Sequence, residues 1–286
     1  MLPSVRATEL TLRGTRLAWG ARTHLMGVVN LTPDSFSGDG LIEAEAAVER
    51  ALGHLAAGAD IVDLGAESTR PGHRPVEAPE ELRRLVPVVR DLRSRAPAAI
   101  LSIDTCKAEV FRAAHAAGGD VLNSVCGLTD DLLAIALECD VPVVIMHNGR
   151  DAQYERGAVD EVLADLASSA ARAVGAGLRA ERVILDPGIG FGKTPDQNIA
   201  LLGALPKLVA LGFPTMIGTS RKSTIGKLTG RSVEDRAFGT AATVALAAAA
   251  GVDIVRVHDV AAMRDVVAVG DAIARGWRPP DWEDTR

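Results

Sequence analysis

From residue 24 onward, short runs of β-branched and aliphatic residues ending in polar residues or glycine alternate with stretches whose apolar positions recur at helical spacing. The runs cover 25–30, 60–65, 99–104, 121–125, 142–147, 182–186, 214–218 and 253–258, eight in all. The stretches between them include 43–57, 79–94, 107–117, 159–176, 198–211 and 236–250, and Gly58, Gly118, Gly177, Gly212 and Gly251 stand where helices stop. This alternation over roughly 250 residues predicts an α/β fold, a TIM (β/α)8 barrel spanning 24–275. An open doubly wound sheet would gather its site at one switch point, whereas here every run ends in polar or glycine residues. Ahead of the barrel, Leu10 and Leu12 precede Arg13-Gly14-Thr15, and Leu17 and Trp19 follow it. That pattern predicts a short N-terminal β-hairpin over 8–20 with one apolar face to cap something. No composition shift divides the chain, so it reads as a single domain, 1–286, with a Pro-rich tail at 276–286.

Composition sharpens this picture. The 286 residues are 48% hydrophobic but only 3% aromatic, so Ala, Val, Leu and Ile must fill the core, and base stacking is disfavoured. A formal net charge of -6 with no basic run argues against nucleic acid as a partner. Residues 1–24 lack the apolar stretch of a signal peptide, and the longest apolar tract, 241–252, is too short and alanine-rich to span a bilayer. Cys106, Cys126 and Cys139 have no CxxC spacing and leave an odd count, which suits reduced thiols better than a disulfide framework. These features together predict a cytoplasmic protein without a membrane partner.

The ends of the runs supply Asn30, Glu67 with Thr69 and Arg70, Asp104, Asn123, His147, Asp186, Lys222, and Arg256 with His258. In a barrel they converge on one mouth, although any one of them would serve equally well as a helix cap. Arg256 and His258 lie two apart on the last run, hence on one face, and invite an anion. The carboxylates of Asp104 and Asp186 and the amide of Asn123 suit a ligand rich in N–H donors. A fused heterocycle carrying a phosphate satisfies both demands.

Gly192-Lys193-Thr194 imitates the end of a phosphate-binding loop, but the glycine that pattern needs five residues earlier is Pro187. The glycines there instead let the chain turn sharply beside a ligand. The segment 218–223 places a helix start directly after the seventh run, where free N–H groups with Ser220 would hold a carboxylate or phosphate. Two polar loops, 32–40 and 68–72, follow the first two runs and have the character of mobile lids. His24, His54, His73 and His115 are scattered, and no Cys/His grouping suggests zinc. A Cys126–His147 nucleophile pair is a minor alternative.

Taken together, these segments resemble the dihydropteroate synthase family from Met26 to about Val260. The resemblance rests on Met26-Gly27-Val28-Val29-Asn30-Leu31-Thr32-Pro33-Asp34-Ser35-Phe36-Ser37, Glu67-Ser68-Thr69-Arg70-Pro71-Gly72, Ser102-Ile103-Asp104-Thr105, Asp186-Pro187-Gly188-Ile189-Gly190-Phe191, Gly218-Thr219-Ser220-Arg221-Lys222-Ser223 and Arg256-Val257-His258-Asp259. It implies a folate-pathway transferase that joins 6-hydroxymethyl-7,8-dihydropterin pyrophosphate to p-aminobenzoate, a target of sulfonamides, and usually a homodimer. It further implies that Asp104, Asn123, Asp186 and Lys222 hold the pterin, with Met146, Phe191 and Gly218 around it. Arg256, His258, Thr69 and Asn30 would hold the pyrophosphate, Asn30 through Mg²⁺. The p-aminobenzoate would lie near Pro33, Phe36, Thr69, Arg70 and Pro71, its carboxylate on Ser220 and Arg221. Asp34, Lys222, Arg256 and His258 are the implied catalytic residues.

Three places depart from the family pattern. Ser124 stands where an Asp normally follows the Asn, Ala66 replaces a Gly, and Gly38-Asp39 reverses the common order. Two rival readings are a methyltetrahydrofolate-binding methyltransferase barrel, which lacks the lids, and a paralogue that binds pterins without condensing them.

Overall fold

The computed structural model describes residues 8–31, 40–66, 76–149 and 154–283, with side chains in the first helix from residue 44 on. The hairpin is present as β1 (Glu9–Leu12) and β2 (Thr15–Ala18), antiparallel with Leu10 opposite Leu17. Its turn is Arg13-Gly14, both at positive φ (50° and 77°), the hand that suits a two-residue hairpin loop. Arg13 Nε donates to Asp120 at 2.7 Å and so pins the turn to the barrel.

Eight parallel strands follow: β3 (His24–Asn30), β4 (Ile61–Gly65), β5 (Ile100–Asp104), β6 (Val121–Ser124), β7 (Val143–Met146), β8 (Val183–Asp186), β9 (Met216–Ile217) and β10 (Ile254–Val257). They pair in the order β8-β7-β6-β5-β4-β3-β10-β9. A bridge between Leu185 and Thr215, with the Leu185 N–H donating to Pro214 O at 2.9 Å, closes β8 on β9. The expected barrel therefore forms, each strand lying within its run apart from His24.

Helices α1 (Gly40–Ala56), α2 (Ala78–Arg95), α3 (Ala108–Ala116), α4 (Asp130–Glu138), α5 (Ala158–Gly175), α6 (Pro195–Gly203), α7 (Leu205–Val209), α8 (Ser223–Thr229), α9 (Ala237–Ala250) and α10 (Val260–Arg275) surround it. The stretch expected as one helix over 198–211 is two, α6 and α7. Pro206 has no N–H for the carbonyl one turn back, so the helical ladder breaks at Ala204. The five glycines expected to stop helices all have positive φ, Gly251 at 90° as the cap of α9.

Two apolar shells result from the strand period of two. Outward-facing residues such as Val29, Leu64, Ile103 and Val255 pack against the helices. Inward-facing residues, one from each strand from Met26 on β3 to Ile254 on β10, form a separate cluster with Leu10, Leu17 and Trp19 of the hairpin. The hairpin is thus the plug of the barrel floor. Everything two residues further along each strand faces the mouth.

Candidate active site

Above the apolar floor most of the inward positions turn polar, Val28 and Met146 excepted. Asp63 on β4, Ser102 on β5, Asn123 on β6, Asp186 on β8 and Arg256 on β10 stand two residues beyond Ile61, Ile100, Val121, Ile184 and Ile254, and Asp104 stands two beyond Ser102. Arg256 donates from Nε to Asp63 at 2.7 Å and from Nη2 to Asp104 at 3.0 Å. Asn123 Nδ2 donates to both oxygens of Asp63 at 3.2 Å. Asp63 was not singled out from the sequence. Its signal was available: an acid inside the apolar run Ile61-Val62-Asp63-Leu64, on the face that carries Ile61 to the barrel interior.

These groups share little water, and their proton affinities shift accordingly. Burial, followed by repulsion from Asp63, pushes Asp104 up to about 7 against the pull of Arg256. Burial also raises Asp186, opposed by the Gly188 N–H and by Lys222. Lys222 falls to about 8, first through burial and then through Arg256. Burial alone would lower Arg256, but Asp63 and Asp104 outweigh it and raise it, so the guanidinium stays charged.

The turn after β8 is built around Asp186. Its Oδ1 accepts from the Gly188 N–H at 2.7 Å, and Gly188 has φ 65°, where a Cβ would overlap the carbonyl oxygen of His147. Lys193 Nζ donates to the carbonyls of His147, Gly188 and Phe191 at 3.1, 3.0 and 3.1 Å. Lys193 is therefore an internal strut, and Thr194 caps α6 in a capping box with Gln197. This agrees with rejection of the phosphate-loop pattern. The Phe191 ring lies 3.9 Å from Lys222 Nζ, a cation–π contact that holds the ammonium beside Asp186.

After β9 the chain does not enter a helix directly. Arg221 takes φ 60°, and α8 starts only at Ser223 with Lys222 in the cap position. The Thr240 hydroxyl accepts from the Arg221 N–H at 3.2 Å, and Arg236 donates to the Arg221 carbonyl at 2.9 Å, which fixes this left-handed turn. Ser220 is thus not the helix cap. Its Oγ accepts from the His258 N–H at 3.2 Å and shares a hydrogen bond with His258 Nδ1 at 3.0 Å, tying the ends of β9 and β10 together.

Of the remaining expected residues, Asn30 ends β3, half-buried, Met146 is buried at the end of β7, and a Cβ on Gly218 would come 3.8 Å from Arg256. His147 does not face the mouth. It follows the inward Met146 and turns to the helix layer, with Nε2 3.4 Å from Asp165 on α5. The expectation of reduced thiols also fails, because Cys106 and Cys126 form a disulfide that joins the segments after β5 and β6. The pairing of Cys126 with His147 falls with it. By chain-entropy reasoning, a cross-link over 20 residues contributes roughly 3 kcal/mol and braces the walls that carry Asp104 and Asn123. Ser124 Oγ donates to Gly127 O at 2.8 Å, so it shapes the turn after β6, while Asp63 orients Asn123. Pro33, Asp34, Phe36, Gly38, Asp39, Glu67, Thr69, Arg70 and Pro71 lie outside the described residues.

The sequence matches the pterin binding enzymes over residues 26–258. A dihydropteroate synthase of Synechocystis is 43% identical over 87% of this chain and 89% of its own. The structure of Xanthomonas albilineans dihydropteroate synthase with 4-aminobenzoic acid superposes with a TM-score of 0.88 at 44% identity, covering 93% of this chain and 98% of that one. Yersinia pestis dihydropteroate synthase in complex with a sulfonamide drug gives 0.87 at 35% identity over 94% and 100% of the two chains. With the barrel, the floor plug and the acid-rich mouth alike in place, the chain belongs to the pterin binding enzymes and, among them, to the dihydropteroate synthase family.

Proposed function

We propose that the protein condenses 6-hydroxymethyl-7,8-dihydropterin pyrophosphate with p-aminobenzoate, giving 7,8-dihydropteroate and pyrophosphate for folate synthesis. The observation that carries this reading is a mouth in which Asp186, Asn123 and Asp104 offer acceptors beside the always-charged Arg256. Asp186 accepts from the ring N–H and exocyclic amine of the pterin, and Lys222 donates to the opposite edge. Arg256, with His258 at the strand end, faces the leaving pyrophosphate. The methylene C–O bond breaks with its electron pair leaving on the pyrophosphate, and the neutral aromatic amine forms the new C–N bond and then loses a proton to water. A cation held where this charge develops lowers the barrier, so no side-chain nucleophile is required. The p-aminobenzoate is assigned to Ser220 and Arg221 with Pro33, Phe36, Thr69, Arg70 and Pro71, and Asp34 to stabilising the cationic methylene. Occupation of the amine site makes the enzyme a sulfonamide target.

The amide oxygen of Asn30 suits Mg²⁺, a hard cation usually bound by one or two protein oxygens together with substrate phosphates and water. The described residues contain no cluster of three or more acidic, His or Cys side chains that could hold a metal ion. Bound at Asn30, Mg²⁺ would neutralise leaving-group charge.

Purified protein given both substrates and Mg²⁺ should release pyrophosphate only when p-aminobenzoate is present. No release would favour the pterin-binding paralogue, and methyl transfer from methyltetrahydrofolate would favour the methyltransferase. The titrations add a pH signature. Asp104 must be ionised to brace Arg256 and is so above about 7, whereas Lys222 must be protonated and is so below about 8. After allowance for ionisation of the substrate, kcat/KM should rise through the first value and fall through the second. A profile that stays flat from about two pH units below the first value to about two above the second would remove both groups from the rate-determining chemistry.

A homodimer is the proposed assembly. Apart from Thr240 and Thr243, helix α9 carries only Gly and apolar side chains, an arrangement suited to burial on more than its core face. Outward on α9 and the adjoining α10 stand Phe238 and Ile273, 91% and 83% exposed in the isolated chain, with Leu246 and Val269. The double variant Phe238→Asp, Ile273→Asp should halve the mass measured by light scattering while the circular dichroism stays native. An unchanged mass would move the interface elsewhere. No helix among the described residues is long and apolar enough to cross a membrane. The cytoplasm is proposed because the diphosphorylated substrate is charged; the Cys106–Cys126 disulfide counts against it, since a reducing compartment keeps thiols open.

A further inference from the structure

We propose that Asp63 is a positioning residue for the condensation, holding the Arg256 guanidinium and the Asn123 amide in the orientations that the substrate meets. The proposal rests on the pterin condensation proposed above. Asp63 is fully buried on β4, in the first polar layer above the barrel floor, where branched apolar residues ordinarily fill such a barrel. Its Oδ2 accepts from both Nε and Nη2 of Arg256 at 2.7 Å, and Nη2 also reaches Asp104 at 3.0 Å. With those two nitrogens engaged, the Nη1 edge is the part of the fork that neither carboxylate takes. Asp63 thereby decides which edge of the cation meets the leaving group.

The effect on Asn123 follows from chemistry alone. Both contacts run to carboxylate oxygens, which accept, so the amide group 3.2 Å from Asp63 is the NH₂ and not the carbonyl. The Asn123 oxygen is left as the acceptor for the ligand. A residue at 63 able to donate would let that amide turn over and present a donor to a donor-rich ring. Asp63 also sets the charge felt by Asp104, which faces Asp63 from β4, Arg256 from β10, Glu81 from α2 and Lys222 from the segment after β9.

The bland alternative is that Asp63 only stabilises the barrel. Asp63→Asn, of the same shape, separates the two, with pyrophosphate release by the wild-type protein as the reference. The positioning role expects a folded variant whose kcat falls roughly ten- to a hundredfold, the scale of a small misplacement of a reacting group. It also expects the acid limb of kcat/KM to move to lower pH, and little further loss when Asp63→Asn is added to Arg256→Ala. A folded Asp63→Asn with wild-type kcat and acid limb, or losses that simply add to those of Arg256→Ala, overturns it. If that variant does not fold, Asp63→Glu, which keeps the charge but displaces it, takes its place and should still lose kcat. Failure of both to fold assigns Asp63 to stability alone and overturns the proposal. A wild-type protein without turnover overturns the functional reading and this one together.

Discussion

Arg256→Ala is expected to lower the steady-state rate of pyrophosphate release by roughly two to three orders of magnitude, the scale of losing one charge-stabilising group at a reacting centre. Two effects act in the same direction. The cation facing the developing negative charge is gone, and Asp63 and Asp104 lose the positive charge between them. The carboxylates would then repel each other and the incoming pyrophosphate, and Asp104 would take up a proton more readily. Arg256→Lys should fall between, because an ammonium supplies charge without the planar fork that spans both acids. The check is turnover at saturating substrates, with circular dichroism to confirm the fold. Near-normal turnover of the alanine variant would end the assigned role.

Asp186→Asn should weaken pterin binding about a hundredfold, near the upper end for hydrogen bonds to a charged group. The size of the effect comes from the turn after β8. One oxygen of Asp186 already accepts from the Gly188 N–H at 2.7 Å, so the asparagine that replaces it must keep its oxygen there. Its NH₂ is then forced to face the N–H donors of the pterin. Calorimetric titration with the pterin pyrophosphate in the absence of p-aminobenzoate measures this directly. Unaltered affinity would show that the ring is held elsewhere.

Much of this site was legible along the chain because a strand repeats with period two. Given eight runs with polar ends, Asp104, Asn123, Asp186 and Arg256 had to share the mouth, and their chemistry already asked for a donor-rich ring and an anion. The same rule, applied strictly, would have turned His147 away, since Met146 before it points inward. Asp63 is hidden from that rule because it lies one layer below the ends of the runs, where it meets Arg256 from a strand 193 residues distant.

By itself the sequence determined the alternation of elements, the closed parallel barrel, the hairpin and the family, because these follow from local periodicity, glycine and proline placement, and contiguous motifs. Only the tertiary structure decided which acid braces Arg256, that Cys106 joins Cys126, that Ser220 binds His258 instead of capping a helix, and that Lys193 is a strut. Each of these depends on groups remote in sequence, or on the hand of a single backbone turn such as Arg221. Neither is written in a repeat; both are fixed only when closure of the barrel brings the strand ends within hydrogen-bond reach.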